Sequence, residues 1–193
     1  MKTNIRLLLI TFCSAKLAVL LPMLLIYILF LYLLLRGNVL GELDEYLTIF
    51  VYAEQALLPV IIVAWNLIYL HLWIDNDGEE ALAAICAGRH SCAGEIVILT
   101  TAYILGMFPM YVLSLILCGT SYVYIILFEF LRIIIQVVIY SMASFLISKI
   151  FRSVMAGAVC VVAYHLFCIL FCRVGDMGMY CLIRPDLYAT MLP

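Results

Sequence analysis

Apolar residues run through this chain in five long stretches, 17–36, 48–73, 96–118, 122–147 and 154–172, separated by short polar segments. Crossing the hydrocarbon core of a bilayer takes about 20 apolar residues in a helix. Lipid offers backbone N–H and C=O groups no partners, so runs of this kind must be helical. The pattern therefore predicts an all-α membrane protein: a five-helix transmembrane bundle forming one domain over 1–193. Ahead of the first run, residues 1–16 place Lys2, Arg6, Leu9, Cys13 and Lys16 within an arc of about 80° at 100° per residue. This moderate amphipathicity predicts an N-terminal interfacial helix leading into the first span. No small-residue cleavage site follows the run after Lys16, so this start reads as a retained segment rather than a removed signal peptide. Pro22, Pro59 and Pro109 fall inside apolar runs, with Gly106 beside the last, where a helix can kink.

Composition sharpens the class. The chain is 68% hydrophobic and 11% charged, with a mean hydropathy of +1.24, whereas a soluble domain has about 45–50% and about 25%. A net charge of −2 provides no basic surface for phosphate backbones, which excludes nucleic acid as a partner. Eight cysteines are present without a C-x-x-C pair, and Cys118, Cys160, Cys168 and Cys172 lie in or at the ends of apolar runs, where Cys acts as a small hydrophobe. Cys172 and Cys181 are close enough in sequence to meet outside the membrane. Loop cations set the orientation. With the N-terminus in the cytoplasm, Lys2, Arg6, Lys16, Arg89, Lys149 and Arg152 fall inside, and Arg36, Arg173 and Arg184 fall outside. The expected protein is multi-pass in the plasma (cytoplasmic) membrane, with the 173–193 tail extracellular.

Two groups of residues carry candidate chemistry. The 74–95 loop reads as a short cytoplasmic helix: Asp77 is an N-cap, Glu80 completes a capping box, and Glu79 adds charge at the positive end of the dipole. Gly88 suits the C′ position, with Arg89 and His90 just beyond, and Leu82, Ile85 and Cys86 share one face. A helix this short is marginal alone, so its apolar face should dock, on the membrane surface or on a cytoplasmic partner. The second group is intramembrane: Glu54, Glu129 and Arg132. Glu129 and Arg132 stand three apart on one helix face and can pair. Charges at mid-membrane are costly, so the pair reads either as a polar lining or as a structural lock. Glu54 has no partner nearby in sequence, and either faces a pathway or reaches the outer interface. His71 and His165 read as interfacial or packed imidazoles. No catalytic residue and no metal ligand set is assigned.

A basic entry helix, a first span, a short outer loop and a second span ending at a capped acidic helix resemble the permease subunits of type-2 ABC transporters. Glu80, Leu82 and Arg89 match the family's segment of acidic residues, E-x-L and an Arg opening the third span, and Glu79 supplies a further acid. The fourth and fifth spans, joined by the basic turn SKIFRS, are also similar. The chain departs from the family in carrying Glu95 where a basic residue is usual, and in supplying five spans where six are usual. The resemblance implies a transmembrane half that forms a homodimer or heterodimer and exports a substrate. It further implies coupling, through Asp77, Glu79, Glu80, Leu82, Ile85 and Arg89, to a separate ABC ATPase subunit. No G-x-x-x-x-G-K-[ST] stretch occurs, so ATP would bind the partner, with no cofactor held directly and no enzymatic activity on this chain.

Two other classes compete. A membrane-embedded cysteine peptidase processing a signal peptide needs a His and a thiol within reach, and His90 and Cys92 lie together in GRHSC. That family separates its pair by about two helical turns, however, and Val97 occupies the corresponding position. A substrate-binding membrane subunit of a vitamin-type importer has about this length, again with six spans.

Overall fold

The computed structural model describes residues 16–71 and 92–171. Five long helices make up the described chain: α1 (Lys16–Leu40), α2 (Leu43–Leu70), α3 (Cys92–Cys118), α4 (Val123–Phe151) and α5 (Val154–Phe171), with a 3₁₀ turn at Thr120–Tyr122 before α4. All five are long and apolar enough to cross a membrane. The architecture is an all-α bundle of the multi-pass kind. The expected interfacial helix over 1–16, the coupling loop 74–95 and the 173–193 tail fall outside the described residues, apart from Lys16 and the 92–95 start of α3.

Four of the five helices are longer than their apolar runs. Helix α2 begins at Leu43 rather than 48, because Asp44 and Glu45 in its first turn complement the positive end of the dipole. Helix α3 takes in Glu95, and α4 runs on to Phe151 with Lys149 in its last turn, where a cation suits the negative end. The apolar count stops at the first charge, whereas the backbone ladder continues wherever that charge suits a terminus.

Three tight turns fix an alternating topology. Gly41, at φ 72°, joins α1 to α2, and Gly119, at φ 77°, precedes the 3₁₀ turn between α3 and α4. Both positions need the left-handed conformation that costs glycine nothing. Between α4 and α5 the same role falls to Arg152, at φ 49°. There Ser153 N–H reaches back to the Ser148 carbonyl at 3.1 Å, and the Ser153 hydroxyl accepts from Ala156 N–H at 3.4 Å, capping α5.

Contacts between helices keep constant register. Tyr27 donates to the Gly106 carbonyl and Asn38 to the Leu117 carbonyl, each pair 79 residues apart, so α1 and α3 run parallel. Helices α2 and α4 also run parallel, with α4 antiparallel to α3 and α5. Helices α2 and α4 form the centre: α1 packs on α2 and α3, and α5 packs on α4 and α2. Tyr122 donates to the Asp44 carboxylate, tying the α1–α2 and α3–α4 ends together on the far face. His71, Cys92 and the α4–α5 turn share the near face.

Two prolines supply glue for the bundle. A proline lacks the N–H that would serve the carbonyl four residues before it and crowds that turn, which opens neighbouring carbonyls to groups from other helices. The carbonyl three residues before Pro59, on Ala56, lies 2.7 Å from His165 Nε2 of α5. The one three before Pro109, on Gly106, accepts from Tyr27 of α1. Tyr103 of α3 donates at 2.6 Å to Leu58, just before Pro59. Its ring meets Trp65 edge-on at 5.1 Å.

Candidate functional site

Helix α4 carries a polar line along an otherwise apolar span: Glu129, Gln136, Ser141, Ser144 and Ser148 are all buried. Spacings of three, four, five and seven keep these side chains near one helix face. Facing α2 contributes Glu54, Gln55 and Asn66, and α3 contributes Thr100 and Ser114, all buried. The bundle thus turns its polar side chains inward and its leucines, such as Leu24, Leu105 and Leu170, outward. That is the inverse of a soluble fold, and the arrangement expected in lipid.

The line resolves into layers. Nearest the far face, Arg132 chelates Glu129: Nε donates to Oε2 at 3.1 Å and Nη2 to Oε1 at 3.2 Å. The Glu129 side chain is 1% exposed and that of Arg132 is 16% exposed. Glu54 of α2 joins this layer, within electrostatic reach of both and of Tyr111 from α3. It is fully buried, and neither of its carboxylate oxygens has a hydrogen-bond partner among the described residues. The Tyr111 hydroxyl is buried as well and approaches Glu54 without making a well-formed hydrogen bond to it. Two turns deeper lies Gln136, 2% exposed, with both amide atoms lacking a hydrogen-bond partner among the described residues.

Deeper still, Asn66, Ser141 and Thr100 join α2, α4 and α3 by a chain whose direction can be read. The Thr100 hydroxyl spends its one hydrogen on the Ile96 carbonyl at 2.8 Å, so across the 2.6 Å contact it must accept from Ser141. Ser141 accepts in turn from Asn66 Nδ2 at 3.0 Å. Asn66 and Ser141 are 75 residues apart, the separation of Glu54 and Glu129, so a single parallel register of α2 on α4 builds both layers. At the α5 side, the Ala56 carbonyl can only accept, so His165 Nε2 carries the hydrogen. His165 Nδ1 is then the acceptor for the Tyr140 hydroxyl at 3.1 Å.

The intramembrane residues singled out from sequence are therefore brought together. Glu129 and Arg132 form the expected i, i+3 pair, and Glu54, without a neighbour in sequence, acquires one through the bundle. His165 is packed and doubly hydrogen-bonded, and His71 is exposed at the end of α2. Asp77, Glu79, Glu80, Leu82, Ile85 and Arg89 lie outside the described residues. The sequence reading passed over Gln136, Asn66, Thr100 and the serines of α4. Their recurrence near one helical face was the available signal, hidden because neutral polar residues barely interrupt an apolar run. Chemically, the site offers one compensated ion pair, one uncompensated carboxyl and a file of neutral donors and acceptors leading toward the near face. No family model, curated protein or solved structure matches the chain.

Proposed function

We propose that this protein is the membrane-spanning permease subunit of an ABC-2-type transporter. Working as a homodimer or heterodimer in the plasma membrane with its N-terminus in the cytoplasm, it exports its substrate with ATP hydrolysed on a separate subunit. The observation that carries a transport role is the polar line between α2 and α4. Charged side chains buried within a span are costly, and a bundle held by apolar packing alone would have no need of Glu54, Glu129 and Arg132 in one layer. The ABC-2 assignment draws on the resemblance in the 77–89 segment. His71 and Cys92, which bracket that segment, lie on the same face as the basic α4–α5 turn, the face an ATPase subunit would meet in this orientation.

Purification of the tagged full-length chain from its native membrane in mild detergent tests this reading. An ABC ATPase should copurify in near-stoichiometric amount with vanadate-sensitive hydrolysis, and Leu82→Asp should release it while the chain still inserts. Recovery of the chain without an ATPase would overturn the proposal.

A further inference from the structure

We propose that Glu54 is an intramembrane proton-binding site, its carboxyl taking a proton from water and holding it as a neutral acid beside the Glu129–Arg132 pair. Charge counting in the layer leads there. Arg132 is committed to both oxygens of Glu129 through two hydrogen bonds. Those two side chains sum to zero, so an ionised Glu54 would leave one net negative charge at full burial, next to a second carboxylate.

Among the described residues, the groups around Glu54 offer no second cation. Helix α3 brings the Tyr111 hydroxyl and the Cys118 thiol, and α4 brings Glu129 and Arg132. Helix α1 sets the ring of Phe30 against Phe50, 4.9 Å between centroids, one turn before Glu54. Helix α5 brings His165, whose Nε2–H is directed at the Ala56 carbonyl. Among the described residues the donor that approaches Glu54 is the neutral Tyr111 hydroxyl, which makes no well-formed hydrogen bond to either carboxylate oxygen and brings no charge. A carboxylate can live at such depth when backbone or side-chain N–H groups surround it; lacking them, the carboxyl is stable as the acid. Proton uptake is the step that removes the uncompensated charge: an O–H bond of hydronium breaks, one Glu54 Oε–H bond forms, water is released, and the layer goes from net −1 to neutral.

The site depends on its neighbours in a specific way. Removing the Glu129 charge would leave Arg132 facing Glu54, which could then ionise and pair across α2 and α4. Removing Arg132 would leave two carboxyls and drive a second proton into the layer. Glu54 is thus the member of the trio that exchanges its proton, with the ion pair as its switch. Gln136 and the linked Asn66, Ser141 and Thr100 side chains lie between it and the near face.

Infrared spectroscopy of the full-length chain in lipid vesicles at neutral pH tests this without a transport assay or an ATPase, so its outcome is separable from that of the permease reading. The wild type should show the carbonyl stretch of a buried protonated carboxyl. Glu54→Gln should remove it, Glu54→Asp should shift it, and Glu129→Gln should shrink it as Arg132 turns to Glu54. Should Glu54→Gln fail to fold, the Asp variant alone decides, by a band that moves or stays. A wild-type spectrum without such a band, or a band unchanged by either Glu54 substitution, would overturn the proposal; the first result would mean that Glu54 is ionised and held by a bound cation.

Discussion

Helix α4 meets α2 and α5 along two seams of opposite construction. Against α2 the contact is parallel and polar, built of side chains that reach across: Arg132 and Glu129 beside Glu54, Asn66 onto Ser141. Against α5 it is antiparallel and close. A Cβ added to Gly157 would lie 2.0 Å from Ser148 Oγ and 2.5 Å from the Ser144 carbonyl oxygen. Ser148 turns its hydroxyl back onto that same Ser144 carbonyl at 2.7 Å, so serine serves here as a small residue rather than a bridging one. Lipid tails are as apolar as leucine, so helices in a membrane associate through close packing or through polar bonds. Helix α4 relies on polar bonds against α2, and against α5 it adds close packing to the Tyr140–His165 bond. The α5 seam is sensitive to volume, and the α2 seam to charge.

The largest expected effect breaks the α2 seam. Removing one partner of a buried ion pair typically costs about 3–5 kcal/mol. We expect Arg132→Gln to reach that range, because it leaves Glu129 and Glu54 together. Glu129→Gln should cost less, because Arg132 retains a carboxylate in Glu54. Glu129→Leu/Arg132→Leu, with no ion left at either position, should be milder than Arg132→Gln and markedly non-additive. Thermal unfolding in one detergent ranks the three. Equal stability of the two single variants would remove Glu54 from the layer, and transport lost in a stable double variant would tie the pair to the pathway.

Next comes the α5 seam. Gly157→Val should cost about 1–3 kcal/mol, the usual range for overpacking, because a backbone carbonyl at 2.5 Å cannot rotate away as a side chain can. Its signature should be charge-independent, unchanged by the Glu129→Leu/Arg132→Leu background. Coupling between the two in a double-mutant cycle would mean that α4 transmits strain from one seam to the other.

How far these seams could be read from the sequence differs for the same physical reason. The five spans were legible because twenty consecutive apolar residues have one use, and the Glu129–Arg132 pair because a helix repeat places i and i+3 together. Glu54 could not be placed: its partners lie 75 and more residues away, and only the parallel register of α2 on α4 brings them level. Gly157 likewise looks like any glycine in an apolar run until Ser144 and Ser148 are seen opposite it. Gln136 and Asn66 were passed over because a neutral amide is tolerated in a span for several reasons, and sequence spacing does not say which neighbour it meets.

A smaller effect is expected for Ser141→Ala. The hydroxyl relays Asn66 to Thr100 across three helices, yet such bonds in membranes average about 0.6 kcal/mol and reach about 1.7 at most. The substitution should land between these values, since it leaves Asn66 with the 3.4 Å contact to the Ser141 carbonyl. A loss much larger than this in unfolding measurements would mean that the relay acts as a cooperative unit rather than as single bonds.

The smallest expected effect sharpens the α5 seam from its turn. Arg152 holds φ 49° in the link between α4 and α5, a conformation that costs a residue bearing a Cβ about 1–2 kcal/mol and costs glycine nothing. Glycine gives back about 0.5–1 kcal/mol through its greater freedom when unfolded. Arg152→Gly should therefore stabilise the bundle by at most about 1.5 kcal/mol, with the Ser153 N–H to Ser148 carbonyl bond retained. Because Arg152 is exposed, loss of its side chain removes little packing. The gain should vanish in a Gly157→Val background, where α5 can no longer sit close enough for the turn to hold its register. A gain that persists there would show that the turn closes independently of the Ser144, Ser148 and Gly157 contact.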